Sequence, residues 1–263
     1  MRPCTGGNRS PIGRTTARRV SAVAAAACLL STAVASAQTA TGGTVSGSIK
    51  LPDPAARGEP PQRNQGFLAR VRNPILAPVP FDPLPWIIVV LEPQGALSAE
   101  AKQPPKLPPR YELIGEAFAR PIFGVMVNSE VEIKNSGRNS HRLVAPAIPE
   151  LLEGDPVNPG GVRTATLSVA HHSIEIRDPD SAHVSGHLVA FPLRYFAVVD
   201  GGGNFEIADV PGGRWTVRLW YRDGWLKMKQ ETIDVDAKRT SSVKLALPPA
   251  LETEVPATAG KPQ

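Results

Sequence analysis

Apolar and polar residues alternate along this chain in short runs separated by turn residues, the signature of strands that bury one face. Residues 44–51 (TVSGSIKL) put Val45, Gly47, Ile49 and Leu51 on one side. Residues 130–134 do the same with Val131 and Ile133, and residues 214–220 with Trp215, Val217 and Leu219. Residues 86–91 (WIIVVL) are apolar without a break and β-branched in the middle, which predicts a fully buried strand. Further strands are expected over 122–127, 164–169, 173–177, 187–191, 195–199, 205–207, 232–235 and 242–247. Turns are expected at Asn128-Ser129, Asn135-Ser136-Gly137, Gly201-Gly202-Gly203 and Val210-Pro211-Gly212-Gly213. Proline crowds 52–85 and again 103–109; it removes backbone donors and blocks central strands, so both stretches read as loop. Residues 97–101 suit a single helical turn, and nothing after residue 37 repeats at the helical spacing of 3.6. Many short strands with turns between them predict an all-β sandwich architecture.

The first residues carry a different message. Arg2, Arg9, Arg14, Arg18 and Arg19 precede an alanine- and leucine-rich apolar run over 20–34, which closes at Ala35-Ser36-Ala37. That is the layout of a secretion signal cleaved after Ala37, and the run is too short for a comfortable membrane span. The expectation is export to a periplasm or the exterior, with no membrane span after cleavage. Arg18-Arg19 leaves Sec and twin-arginine routes both open. Without the five arginines of that segment, the remainder holds 24 basic and 24 acidic residues, so the charge excess belongs to the targeting segment. A neutral remainder gives no electrostatic case for nucleic acid. Cys4 and Cys28 also fall before residue 38, so the rest has no thiol and no disulfide framework.

Two stretches carry a family resemblance. Residues 118–144 (FARPIFGVMVNSEVEIKNSGRNSHRLV) resemble the metal-proximal half of periplasmic cupredoxin-like proteins, particularly those of methylamine-utilisation type. The resemblance maps onto Val131, Ile133, Asn135 and then His141 as the ligand histidine. Residues 191–226 resemble a carboxypeptidase regulatory-like, transthyretin-like module, through Val199-Asp200, Gly203-Asn204-Phe205, Val210-Pro211-Gly212-Gly213 and an alternating strand ending in Trp220. Cupredoxin-like relatives carry this same appendage. The implied organisation is a signal peptide over 1–37, a cupredoxin-like β-sandwich with proline-rich loops over 38–190, a smaller transthyretin-like β module over 191–247, and a disordered tail over 248–263.

The chemistry departs from that resemblance. Copper-binding relatives supply a cysteine, a second histidine and often a methionine from the loop between the two stretches. Here that loop is 174–188 (IEIRDPDSAHVSGHL), with Asp178 or a neighbour where the cysteine would fall and no methionine. A blue-copper site needs a thiolate beside two imidazoles, so none can form. His141, His183 and His187 are the candidate metal ligands, as a histidine-only copper or zinc site. The expected outcome is that they are ordinary loop histidines and no cofactor is held. His171 and His172, if they lay in a strand, would point to opposite faces and could not chelate one ion. Arg138, Arg142 and Arg177 read as a solvated rim. Trp215 reads as core, while Trp220 and Trp225, beside Arg222, Asp223 and Lys227, are the candidate surface aromatics for a glycan or partner. No nucleophile elbow, HExxH or carboxylate pair appears in the sequence, so no enzyme is expected. The functional expectation is a non-catalytic exported binding or structural protein, with an envelope protein or glycan as partner. Histidine-only metal binding or redox chemistry is the alternative.

Overall fold

The computed structural model describes residues 42–52 and 81–254, so the signal, its cleavage site and most of the first proline-rich loop lie outside the described residues. Among the described residues sixteen strands follow in chain order: β1 (Gly43–Lys50), β2 (Ile87–Pro93), β3 (Arg110–Ile114), β4 (Ala117–Phe118), β5 (Ile122–Met126), β6 (Glu130–Asn135), β7 (Val162–Thr166) and β8 (Ser173–Asp178). Then come β9 (Ser181–Phe191), β10 (Phe196–Val198), β11 (Asn204–Val210), β12 (Gly213–Tyr221), β13 (Gly224–Leu226), β14 (Glu231–Val235), β15 (Thr240–Ala246) and β16 (Thr253–Glu254). The helical content of the described residues is confined to short 3-10 turns, one of which, Glu100–Lys102, lies at the end of the helical turn expected over 97–101. The all-β expectation holds.

The strands form two sandwiches. In the first, the sheet β11-β1-β15 faces the sheet β10-β2-β12-β13-β16, with β14 also on β12. Their shared core holds Val45, Ile49, Ile87, Val89, Leu91, Phe205, Trp215, Val217 and Leu219. In the second, β4-β3-β6-β7 faces β5-β9-β8 around Tyr111, Leu113, Val131, Ile133, Ile174, Ile176, Val184 and Leu188. Three pairings, β1 with β15, β3 with β6 and β5 with β9, are parallel, but no sheet is parallel throughout.

A third cluster joins the two. Ile88 and Val90 on β2 and Trp220 on β12 pack against Ile122 on β5 and Val189 and Phe191 on β9. This explains the unbroken apolar run in WIIVVL: odd positions Ile87, Val89 and Leu91 enter the first core, and Ile88 and Val90 enter the seam. The end of β9 divides likewise, with Leu188 and Ala190 in the second core and Val189 and Phe191 in the seam.

The topology differs from the linear division expected at 190/191. β1 and β2 pair with β11, β15, β10 and β12, strands from beyond that boundary. β2 and β10 are direct antiparallel neighbours, Val90 opposite Phe196, so the whole second sandwich is inserted between them. Alternation alone cannot show which strands share a sheet. The expected disordered tail over 248–263 is also corrected in part, because Thr253 and Glu254 pair with Leu226 and Trp225. Strands β3, β4, β13 and β16 had no sequence expectation; all but β3 are three residues or fewer, too short for a visible period.

Gly186 has a packing reason. It faces the second core from β9, and a Cβ there would overlap the Tyr111 hydroxyl and sit 2.7 Å from Phe118 Cδ2. Tyr111 cannot retreat: its hydroxyl donates to Arg120 O at 2.8 Å, and its ring is stacked between Phe118 and Phe123, with centroids at 4.4 and 5.0 Å. Gly186→Ala is therefore expected to lower unfolding free energy by about 2 kcal/mol through overpacking, measured by urea denaturation. A change within experimental error would show that this corner of the core is slack.

Candidate functional site

The segment after β6 delivers His141 to one end of the second sandwich. Buried Asn135 organises it: Nδ2 donates to Asn139 O (2.7 Å) and Val157 O (2.8 Å), and Oδ1 accepts from Gly137 N (2.9 Å). His141 then pairs with Val157 through backbone bonds in both directions, 3.1 and 2.8 Å. Its side chain is 1 % exposed.

Asp178 meets it from β8. On that strand Ile174, Ile176 and Asp178 alternate onto the inner face, so the carboxylate is carried into the core by the period of the strand. Asp178 Oδ2 lies 2.8 Å from His141 Nδ1, and its own side chain is 2 % exposed. The other oxygen, Oδ1, accepts from Asp180 N at 2.9 Å and braces the hairpin into β9. A carboxylate only accepts, so Nδ1 donates and the pair leaves Nε2 as the free ring nitrogen. Among the described residues, His141 Nε2 is the buried side-chain polar atom without a hydrogen-bond partner.

The other two candidate histidines lie elsewhere. His183, Ser185 and His187 occupy the face of β9 opposite Val184, Gly186 and Leu188, and so point away from the second core. His183 is exposed, with Nε2 3.3 Å from Glu116 Oε2; Asn139 donates its amide to the other Glu116 oxygen. The Asn139 hydrogen bond, followed by the one to His183, holds the Glu116 carboxyl below its usual range. His187 is half-buried, with Nδ1 3.3 Å from Ser173 Oγ and its ring edge-on to Trp86 at 5.5 Å. Its pKa is lowered, chiefly by burial; Asp223 and Glu175 pull it upward and Arg222 pushes it further down. The three candidate ligand histidines thus do not share one site: His141 is buried at the end of the second sandwich, and His183 and His187 lie on the outer face of β9.

The residues present do not fit the copper centre that the resemblance implies. No cysteine follows residue 28 to supply a thiolate, and His141 Nδ1 is held by Asp178, which with its neighbours was expected where a cysteine would stand. Among the described residues no three or more His, Cys, Asp or Glu side chains come together to hold an ion. Sequence reasoning missed Glu116 and Asn139 at the rim. The Ile174–Ile176–Asp178 register was the available signal for the buried pair, since an acid in step with inward apolar positions needs a partner.

The remaining candidates separate cleanly. Trp215 is core as expected, but Trp220 and Trp225, expected at the surface, are buried in the seam. Their polar neighbours in sequence misled because Trp220 and Trp225 are directly paired across a hairpin whose tip carries Arg222 and Asp223. His171 lies in a turn rather than a strand, at φ 54°, and packs on the seam while His172 is exposed. Arg138, Arg142 and Arg177 are exposed, as a solvated rim requires. A groove of about 650 Å³ runs along the outer face of β1, lined by Ser46, Ser48, Asn204, Glu206 and Ser242 and flanked by Arg120. No helix among the described residues is long and apolar enough to cross a membrane.

No protein-family model matches this chain, and no curated protein sequence matches it. Solved structures to which parts of this chain are similar include an oxidized mutant of amicyanin, 14% identical with a TM-score of 0.28 over 32% of this chain and 81% of that one. A mutant plastocyanin of fern is 16% identical at a TM-score of 0.28, covering 31% of this chain and 98% of its own. Amicyanin from Paracoccus versutus is 11% identical at 0.29, over 38% and 96% respectively. These matches span about a third of this chain.

Proposed function

We propose that this chain is an exported, non-catalytic β-sandwich protein that binds an envelope protein or glycan and in which a hydrogen-bonded His–Asp pair occupies the position of a metal centre. The observation that carries the reading is the buried contact between His141 Nδ1 and Asp178 Oδ2 at 2.8 Å, which engages one of the two imidazole nitrogens and puts a carboxylate, not a thiolate, beside the ring. The arginine-rich and apolar start of the chain supports export. For the binding surface, the groove along β1 supplies hydroxyl, amide and carboxylate groups in a volume of about 650 Å³, the size range of small-ligand clefts. The buried tryptophans Trp220 and Trp225 are withdrawn as a glycan platform.

The free Nε2 of His141 is the specific observation that favours the second reading, a histidine-based copper or zinc protein. A carboxylate on Nδ1 is the usual orientation device for a histidine that ligates through its other nitrogen. Thermal denaturation with and without Cu(II) separates the two. The first reading expects no specific stabilisation and no intense visible charge-transfer colour at any loading, since a ligand that binds only the folded state would raise the midpoint. Stoichiometric copper that survives purification and is lost in His141→Ala would overturn it. Capture of partners from envelope extract by the purified protein, with metal analysis of the same sample, tests the binding claim.

A further inference from the structure

We propose that His171 is an acid-released latch between the two sandwiches: neutral, it locks the loop before β8 onto the seam tryptophans; protonated, it leaves them and the seam loosens.

The geometry of the latch is specific. His171 sits at φ 54°, a left-handed conformation that a residue with a Cβ keeps only when its surroundings hold it there. Its N–H donates to Ala190 O at 2.7 Å, which fixes the turn to β9. Its ring lies edge-on to Trp225 at 5.1 Å and near-parallel to Trp220 at 6.4 Å, both from the first sandwich, and edge-on to Phe191 at 6.1 Å. One imidazole from the second sandwich therefore rests on the aromatic pair of the first.

That seat is hostile to charge. The charged groups facing His171 are Glu92 on β2 and Arg218 on β12; β9 and β13 present Phe191 and Trp225 to it, and His172 on its own loop is exposed. Arg218 Nη1 already pairs with Glu92 Oε1 at 3.0 Å, and its guanidinium lies 3.9 Å over the Trp225 ring. An imidazolium would then be a second cation against a ring that already carries one, beside a carboxylate already engaged. Burial is the leading cause that moves His171 below its ordinary value, with Arg218 adding to it and Glu92 opposing. The sign follows: the unfolded or undocked histidine, near pKa 6.5, takes up a proton first. The docking contribution is full above about pH 6.5 and is lost as pH falls through the lower docked value.

Hydrogen exchange of the His171 amide in the full mature chain reads this directly, because that amide is protected by its bond to Ala190 O. After correction for intrinsic rates, protection is expected to fall several-fold between about pH 7.5 and 5.5, because the undocked histidine takes up its proton before the docked one. His171→Phe, which keeps an aromatic ring and cannot titrate, is expected to hold the same protection at both values. It also separates the latch from His187, which is still titratable in that variant. Equal protection in the wild type at both pH values, or the same loss in His171→Phe, overturns the proposal. Should His171→Phe fail to fold, NMR titration of the wild-type His171 ring decides. A midpoint below 6.5 that moves together with the Trp225 indole resonance supports the latch, and a midpoint at or above 6.5, or one that leaves that resonance still, overturns it.

Discussion

Asp178→Ala is expected to destabilise the protein by about 3 kcal/mol, measured by equilibrium denaturation at pH 7. The substitution removes the partner of His141 Nδ1 from an environment where both side chains are all but fully buried. Water cannot replace the lost acceptor without opening the core, and losing one half of a buried pair leaves the other half unsatisfied. It also frees Asp180 N from the Oδ1 acceptor that braces the hairpin. The double variant His141→Leu/Asp178→Leu is expected to recover most of that loss, because two apolar groups of similar size leave nothing unpaired. A coupling of this sign distinguishes a mutually dependent pair from two independent core residues. An Asp178→Ala protein as stable as the parent would mean that the pair contributes nothing.

Trp220→Ala is expected to lose about 4 kcal/mol, in the range for deleting a large buried aromatic. Trp220 is fully buried in the seam, edge-on to Trp225 at 5.1 Å and to Phe191 at 5.9 Å. Its indole Nε1 donates to Arg222 O at 2.8 Å, so the change also orphans a carbonyl at the hairpin tip. Because the residue touches both sandwiches, calorimetry is expected to show one unfolding transition in the parent and two in the variant. A single sharp transition in the variant would show that the seam holds without it.

The strands were legible wherever one face is buried and the other wet. In β1, β6 and β12 the period of two is intact, and expectation and structure agree to within a residue or two at the ends. The WIIVVL run was legible as a fully buried strand, but not what buries each face, since that depends on β5 and β9 from a distant part of the chain. The insertion of the second sandwich was invisible for the same reason: pairing between Val90 and Phe196 leaves no local trace. At the candidate site, His141 and Asp178 were legible as positions through the resemblance, whereas their contact is a product of the fold. Strand β9 begins at Ser181, six residues before the strand expected from 187, so His183 lies in a strand and shares its outer face with His187. Glu116 and Asn139 gave no signal, being exposed polar residues like many others.

The nesting of one sandwich inside the other fixes an order of events as the chain is made. β1 emerges early, yet its neighbours are β11 and β15, and β2 waits for β10 and β12. Until residues up to 246 are available, the first sandwich has two unmatched strands, one of them apolar on both faces. The second sandwich, residues 110–191, has its partners close at hand and can form first, after which its closed ends bring β2 and β10 together. Closing loops of that length slows folding and exposes strand edges meanwhile. A chain stopped anywhere short of β15 is therefore an aggregation hazard.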